Sequence, residues 1–316
     1  MKRNEFYYIK EVAKQNSFSK AAKELGISQP ALSNYIKKIE ESVGVLLFDR
    51  SISPIEITEF GKIYLAYANE VIQATEKMNN IMSDLQDLKR GELKIGSTAC
   101  FSTGFLPGPL AAFHNKYPGI HLKIFEGRVS EVSESCLRGD VDMYLTDADI
   151  DDTLFDKEIL FDERIVMAVP KNMEMNHKLE QYRVPAEEIV NGNLGDEKYP
   201  SLNLNMMKDQ NFILLNEIQH IRHKVDQMFK NAGYQPNVVM QVPQTTTGLA
   251  MSIAGVGISF VAESTIKYNN LEEHPYYYKV GSDKEAIRTM CVAYKKGKYI
   301  SNAGQRFIEI LKEQLG

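Results

Sequence analysis

The chain has 316 residues, of which 43% are hydrophobic and 25% charged; this composition is typical of a globular protein, and the length predicts two or three domains. It contains no run of about 18 apolar residues, so we expect no membrane span. Three widely spaced cysteines outside any CxxC pair, and a start without an apolar segment, lead us to expect a reduced, cytoplasmic protein without structural zinc.

Charge is distributed unevenly along the sequence. Residues 1–62 contain 10 Lys and Arg against 8 Asp and Glu, whereas the remaining residues contain 27 against 34. A mildly basic N-terminal segment on an acidic body is compatible with nucleic-acid binding confined to that segment. Because the excess is small, the positions of the basic residues matter more than their number.

The stretch SFSKAAKELGISQPALSNYIKKIEESVGVLLFDR, residues 17–50, predicts two helices separated by a tight turn. Ser19 is expected to cap a helix over residues 20–25, and Gly26 supplies the positive φ that ends it. Ser28 is a suitable cap for the second helix. The buried face of that helix is predicted from apolar residues at helical spacing: Leu32, Ile36, Ile39 and Val43.

The opposite face of the second helix carries side chains that can hydrogen-bond to base edges, namely Gln29, Ser33, Asn34 and Lys37, with Lys38 at the margin. An earlier amphipathic helix and two short strands, in LLFDR and IEIT, complete a predicted winged helix-turn-helix. The alternative is an ordinary amphipathic helix with a solvated polar face.

Residues 1–62 resemble the winged helix-turn-helix of LysR-type transcriptional regulators, through the stretch quoted above and ITEFG. The resemblance implies that Arg50 contacts a phosphate or the minor groove. It also implies base contacts by Gln29, Pro30, Ser33, Asn34 and Lys37. Two departures are Asn34, where the family often has a basic residue, and the wing SISPIE, which lacks Arg and Lys; both favour weaker backbone affinity or a different base preference.

A long helix is predicted after a cap at Thr58. Its apolar residues recur at alternating intervals of four and three, which is a heptad seam, and about 30 residues at about 1.5 Å each make a rod of roughly 45 Å. We interpret it as a dimerisation helix, consistent with the family's linker helix; the alternative is a helix packed on the following domain. The seam comprises Phe60, Tyr64, Tyr67, Val71, Ala74, Met78, Ile81, Leu85 and Leu88.

Alternating strand and helix patterns after Glu92 predict an α/β body with a parallel sheet covered on both faces. The motifs LPGPLAAF and YPGI resemble the family's effector domain, two Rossmann-like subdomains similar to periplasmic solute-binding proteins. The predicted domains are residues 1–58, 59–90 and 91–316, with one subdomain over about 91–163 and 266–316 and the other over about 164–265. Residues 171–210 exceed the usual loop length and are a candidate cover for the cleft or an interface.

A ligand of this α/β body is expected beyond the carboxyl ends of its strands, where helix N-termini present free N–H groups. Hydroxyls and amides there suit a small polar effector that is anionic or zwitterionic, and the carboxylate of Asp147 is a candidate to bind an amino group of that effector. Each Ser or Thr alternatively serves only as a helix cap. The candidate residues are Thr98, Ser102, Thr103, Thr146, Asp147, Asn216, Gln219, Thr245 and Thr246.

Signals for other chemistry are weak, and we expect no enzyme, no cofactor and no metal. Cys100 lies in the candidate cleft as a possible nucleophile or redox sensor, but no sequence signature ties a histidine to it, which favours a small buried residue. His220 and His223 lack a third nearby metal ligand. The run from Asp147 to Asp149 lacks the other ligands of a calcium loop.

These patterns together predict a DNA-binding transcriptional regulator whose activity a small effector modulates. In this interpretation, each winged helix-turn-helix binds a half-site on double-stranded DNA, and the long helix pairs protomers into a homodimer. Effector binding between two lobes then changes the placement of the helix-turn-helix units. A homotetramer is implied by the resemblance. The alternatives are a solute-binding module with a protein-interaction bundle, an enzyme that uses Cys100, and a constitutive DNA binder.

Overall fold

The computed structural model describes residues 4–84, 88–147, 150–195, 198–269 and 271–315. The chain forms two compact units, unit 1 over Met1–Gly91 and unit 2 over Glu92–Gly316. Unit 1 contains α1 Asn4–Gln15, α2 Phe18–Glu24, α3 Gln29–Val43, β1 Phe48–Asp49, β2 Glu56–Ile57 and α4 Glu59–Asp84. Among the described residues, none of the helices has the length and apolar character needed to cross a bilayer.

The turn between α2 and α3 has the predicted chemistry. Gly26 has φ of 65°, and the Ser28 hydroxyl caps α3 by accepting a backbone hydrogen bond at 3.3 Å. The predicted start of α2 is wrong, because Ser17 and not Ser19 is its cap. The earlier start places Phe18 inside the bundle, where its ring packs edge-on against Phe48 at 5.9 Å.

The core of unit 1 forms where α1, α2, α3 and the wing meet. Leu32, Ile36 and Ile39 of α3 are buried, as the helical spacing predicts. Val43 is 37% exposed, contrary to the prediction, because it is the last residue of α3. Strands β1 and β2 pair antiparallel and form the predicted wing.

Helix α4 begins as predicted after Thr58, whose hydroxyl accepts a hydrogen bond from Gly61 N at 2.9 Å. Tyr64 does not belong to an exposed seam; it is buried in the core of unit 1, and its hydroxyl donates to Glu5 Oε1 at 3.0 Å. Leu85 lies outside the described residues, and Leu88 is a buried residue in a turn beyond the helix. The exposed apolar face of α4 consists of Ile63, Tyr67, Ala74, Met78 and Ile81.

Unit 2 is an α/β body built from short helices and two groups of strands. Four 3₁₀ segments lie at Glu174–Lys178, Glu180–Tyr182, Asn193–Gly195 and Leu204–Met207. The other elements are β3 Gly91–Ser97, α5 Ala99–Thr103, α6 Pro107–Lys116, β4 Ile120–Glu126, α7 Val129–Arg138, β5 Met143–Thr146, β6 Phe155–Val169, β7 Arg183–Val184, α8 Ala186–Val190, β8 Asn211–Leu215, α9 His220–Ala232, β9 Asn237–Val242, α10 Thr245–Ile253, β10 Ser259–Ala262, α11 Glu263–Lys267, β11 Tyr276–Lys279, α12 Asp283–Ala286, β12 Ile287–Lys295 and α13 Asn302–Leu315.

Strand β6 belongs to both lobes of unit 2. Its first part pairs with β12 beside β5, β3 and β4, which form lobe I, and its second part pairs with β10 and β11 of lobe II. Strands β3 and β5 pair parallel, as do β8 and β9, which agrees with the predicted α/β architecture. The sheet is nevertheless mixed, because β12 runs antiparallel to both β5 and β6.

The long segment 171–210 is part of lobe II. Its strand β7 pairs with β11, and its apolar side chains enter the lobe's cores. None of its described residues lines the cavity between the lobes. The described residues of this segment therefore do not cover the cleft, and the alternative that the segment forms an interface stays a prediction. The segment folds onto its own lobe through buried residues such as Leu179, Ile189 and Leu202.

Candidate functional site

The outward face of α3 carries most of the residues predicted to contact DNA. The Lys37 side chain is 66% exposed, and its Nζ lies 3.7 Å from Glu41 Oε1, a surface contact that solvent screens. Ser33 is half-buried. The other predicted contacts on this helix are exposed: Gln29, Pro30, Asn34 and Lys38. Polar side chains thus lie along one side of a helix whose other side is core, as base reading in a major groove requires.

The Arg50 side chain is held in place by contacts within unit 1. Its Nη2 lies 2.7 Å from Oε2 of Glu40, and its Nη1 donates to Ser33 Oγ at 3.4 Å. Its guanidinium carbon lies 4.8 Å from the centroid of the Phe18 ring. These contacts fix Arg50 between α3 and the wing, and 36% of the side chain remains exposed. The contact of Arg50 with a DNA phosphate stays a prediction. The intramolecular contacts already fix the orientation of its side chain.

Sequence reasoning misses the organising role of Glu40. This carboxylate is 4% exposed, and its Oε1 accepts hydrogen bonds from the backbone N–H groups of Leu47 at 2.9 Å and Phe48 at 3.2 Å. It therefore holds the segment that leads into the wing as well as Arg50. One signal was available: Glu40 follows Ile36 by four residues, on the buried side of α3, where a charged residue needs a partner.

Unit 2 contains a cavity of about 700 Å³ between its lobes. Four of the nine predicted effector-binding residues line it. Lobe I contributes Thr98, at the start of α5, and Asp147, directly after β5. Lobe II contributes Gln219 and Thr245, at the starts of α9 and α10. The rule that ligand sites follow the carboxyl ends of strands thus identifies residues from both walls.

The other five predicted residues are not among the described residues that line the cavity. The Thr103 hydroxyl donates to Ala99 O at 2.9 Å within α5, and Thr146 is buried in β5, on the strand face opposite to Asp147. Ser102 Oγ is buried without a hydrogen-bond partner in the described part of the chain. The remaining two, Asn216 and Thr246, are half-buried near the starts of α9 and α10.

Arg288 is the central residue that sequence reasoning misses. It lines the cavity with its side chain 4% exposed, forms an ion pair through Nη1 with Asp147, and has Nη2 2.6 Å from Glu163 Oε1. The contact with Glu163 has the distance of an ion pair without the alignment of a hydrogen bond, and Arg288 Nε has no partner among the described residues. The pairing joins β12 to β6 across more than a hundred residues of sequence, so no local pattern indicates it.

The buried charges alter the protonation of Asp147. Burial is the largest single effect and raises the pKa of this carboxyl, but the charges of Arg288 and His220 and the hydrogen bond from Arg288 together outweigh it, so that the pKa of Asp147 lies below its usual value. Burial lowers the pKa of Arg288, whereas Glu163 and Asp147 raise it above its usual value. Both groups are therefore charged at neutral pH.

The cysteines and histidines do not form a reactive or metal centre in the described residues. Cys100 lines the cavity, and its Sγ lies 3.5 Å from Thr245 Oγ1, so its partner is a hydroxyl. Burial raises the pKa of the Cys136 and Cys291 thiols to about 11, which keeps them protonated and unreactive. No group of three His, Cys, Asp or Glu residues suited to a metal occurs in the described ranges.

Two family models match the chain. The one described as "Bacterial regulatory helix-turn-helix protein, lysR family" matches residues 4–62, and the one described as "LysR substrate binding domain" matches residues 86–316. The first match contains α3 and the wing, and the second contains the cavity with Asp147 and Arg288.

Relatives and solved structures extend over nearly the same length. The HTH-type transcriptional regulator YcgK of Bacillus subtilis is 26% identical and covers 98% of this chain and 93% of its own. BenM of Acinetobacter baylyi is 26% identical, with 91% and 88% covered. Full-length OxyR from Pseudomonas aeruginosa has a TM-score of 0.70 at 21% identity, with 100% and 94% covered, and CbnR complexed with its target DNA has 0.63 at 20%, with 99% of both chains covered. Since the two family models together account for nearly all of the sequence, the chain belongs to the LysR family of DNA-binding transcriptional regulators, with a helix-turn-helix followed by an effector-binding domain.

Proposed function

We propose that unit 1 reads operator DNA through the outward face of α3, with Gln29, Asn34 and Lys37 as its principal contacts. The observation that carries this is a polar, solvent-exposed helix face presented by a packed helix-turn-helix. Gln and Asn can each make two hydrogen bonds to adenine, and Lys can reach guanine or a phosphate. Pro30, Ser33 and Lys38 lie along the same helix, and Arg50 approaches the DNA backbone from the wing.

The division of labour that we propose is DNA binding by residues 1–58, pairing of protomers by residues 59–90, and effector binding by residues 91–316. A small polar effector, anionic or zwitterionic, binds between the lobes and favours one arrangement of them over another. We propose that the protein acts as a regulator and not as an enzyme; in the cavity, Cys100 contacts the hydroxyl groups of Thr245 and Thr265. We propose that the protein is cytoplasmic, because it must have access to the DNA that it regulates.

The DNA-binding proposal is tested by a titration of the full-length protein at several salt concentrations, with the DNA upstream of its own gene. We expect tight binding that resists competitor DNA, with an affinity that falls steeply with salt because bound cations are released from the phosphates. Weak binding of equal strength to every sequence would favour instead the solute-binding module with a protein-interaction bundle.

We propose that the exposed apolar face of α4 forms a homodimer. Met78 is 55% exposed on this face, and a second copy of the helix would cover it. The Met78→Glu variant is expected to weaken self-association by at least about tenfold, because a buried carboxylate without a partner is strongly unfavourable. Sedimentation at graded protein concentrations measures the effect.

The matched control is Asn79→Glu, which introduces the same side chain at the next residue, about 100° around the helix. Asn79 is exposed, and its replacement is expected to leave self-association unchanged. An equal effect of both variants, or of neither, would place the dimer contact elsewhere.

A further inference from the structure

The walls of the interlobe cavity carry more negative than positive charge. Each arginine among the described lining residues is already paired with a carboxylate of the same wall. Arg128 Nε donates to Glu131 Oε1 at 2.9 Å, and Arg288 is paired with Asp147. A ligand that carries only negative charge is therefore poorly suited to this cavity, because the guanidinium groups among the described lining residues are already neutralised by carboxylates. The lining carboxylates are Glu126, Glu131, Asp147 and Asp151.

The excess negative charge is most deeply buried at Asp147. The Asp147, Glu163 and Arg288 side chains are 6%, 3% and 4% exposed, so one guanidinium is shared by two buried carboxylates. Within lobe I the two carboxylates thus share a single guanidinium, which is unfavourable away from water, and the further positive group that acts on Asp147 is His220 of lobe II. Arg288 Nε is a further buried donor without a partner in the described structure.

The opposite wall has the reverse character. Helices α9 and α10 both begin at the cavity, and in the described structure neither Gln219 nor Gln244 caps its helix with its side chain. Gln219 Nε2 instead donates to Pro243 O at 3.0 Å, which ties the two helix starts together. Uncapped N–H groups and the positive ends of two helices favour a carboxylate or similar anion.

We propose that the effector is a small zwitterion, an amino acid or a related ammonium carboxylate, whose ammonium group binds Asp147 of lobe I and whose carboxylate binds the N-termini of α9 and α10 in lobe II. The inference rests on the proposed function of the cavity as the effector site. The ammonium group adds a positive charge beside the buried carboxylates, and the ligand joins the two lobes with charges of opposite sign. Its binding free energy therefore favours the arrangement of the lobes in which both of its charged groups are in contact.

The test uses full-length protein and three matched sets of compounds: the common amino acids, 2-hydroxy acids with the same side chains, and the primary amines that lack the carboxylate. At least one amino acid is expected to raise the unfolding temperature, because a ligand that binds the folded state stabilises it. Its hydroxy acid and amine counterparts are expected to bind at least about tenfold more weakly by calorimetry, since each lacks one charge-assisted interaction.

Variants locate the ammonium site. Asp147→Asn is expected to weaken binding of the active amino acid by about 10- to 100-fold, whereas Glu134→Gln, the same charge change at a residue of lobe I that is 69% exposed and does not line the cavity, is expected to change it little. If Asp147→Asn does not fold, the comparison of compounds on the unmodified protein decides the question. Equal binding of a hydroxy acid or another ligand without an ammonium group, or no response to any amino acid, would overturn the inference. Those outcomes leave DNA binding intact, whereas failure of the proposed function is seen separately as loss of specific DNA binding.

Discussion

The Lys37→Glu variant is expected to bind operator DNA about 10- to 100-fold more weakly than the unmodified protein, and to reduce the slope of log affinity against log salt by roughly 1. The Lys37 side chain is 66% exposed on the outward face of α3, and its Nζ lies 3.7 Å from Glu41 Oε1. Reversal of its charge removes one favourable contact with the DNA and adds repulsion by the phosphates. Because Lys37 is remote from the core, the fold of unit 1 is expected to persist.

The matched control is Lys14→Glu, the same charge change in the last turn of α1. Since it lies on another helix, its effect on operator affinity is expected to stay within roughly threefold after screening by salt. Titrations of the three proteins at several salt concentrations, together with their far-ultraviolet circular dichroism, make the measurement. Equal losses in both variants would mean that net charge and not the face of α3 determines binding.

The Arg288→Met variant is expected to lower the free energy of unfolding of unit 2 by about 3–5 kcal/mol, which is the usual cost when one partner of a buried ion pair is removed. Methionine fills much of the same volume, so the loss arises chiefly from the unpaired Asp147 and Glu163 carboxylates, 6% and 3% exposed. Denaturant titration of the full-length protein, followed by a probe in unit 2, measures the change. The control is Arg306→Met, whose ion pair with Glu309 is 54% and 52% exposed and is expected to contribute less than about 1 kcal/mol.

The pH dependence of this difference follows from the sign of the pKa shifts. In the unmodified protein, the pKa of Asp147 in the folded state is lowered, so its stabilising contribution is present above the unfolded pKa of about 3.9 and is lost as the pH falls through the folded pKa. Without Arg288, burial raises the pKa of Asp147, and stability falls as the pH rises through that value. The gap between the two proteins is therefore expected to be widest near neutral pH and to narrow in acid; a constant gap would contradict this account.

Local chemistry explains which parts of unit 1 were predictable. The Ser28 cap, the positive φ of Gly26 and the buried Leu32 and Ile36 depend on near neighbours in the sequence, and all were confirmed. The start of α2 was wrong because burial of Phe18 against the distant wing competes with the local cap. Tyr64 was misassigned for a similar reason: a heptad pattern does not distinguish packing on the same unit from packing on a second copy.

The candidate effector site was predictable to the extent that strand ends identify it. Thr98, Asp147, Gln219 and Thr245 were reached by that rule, and the structure brings them to one cavity. Arg288 and Glu163 were not reached, because their pairing depends on the register of β12 against β6. The antiparallel direction of β12 makes the sheet mixed, and a pattern of alternating strands and helices does not reveal that direction.

The position of β12 has a consequence for the order in which the chain can fold during synthesis. Residues 287–295 form the strand between β5 and β6, in the middle of the lobe I sheet, although they follow the end of β6 by more than a hundred residues of sequence. Unit 1 and most strands of lobe II are available well before them. Lobe I therefore remains an incomplete sheet with exposed edges until β12 has been synthesised, and a chain truncated before Ile287 would be left with such edges permanently.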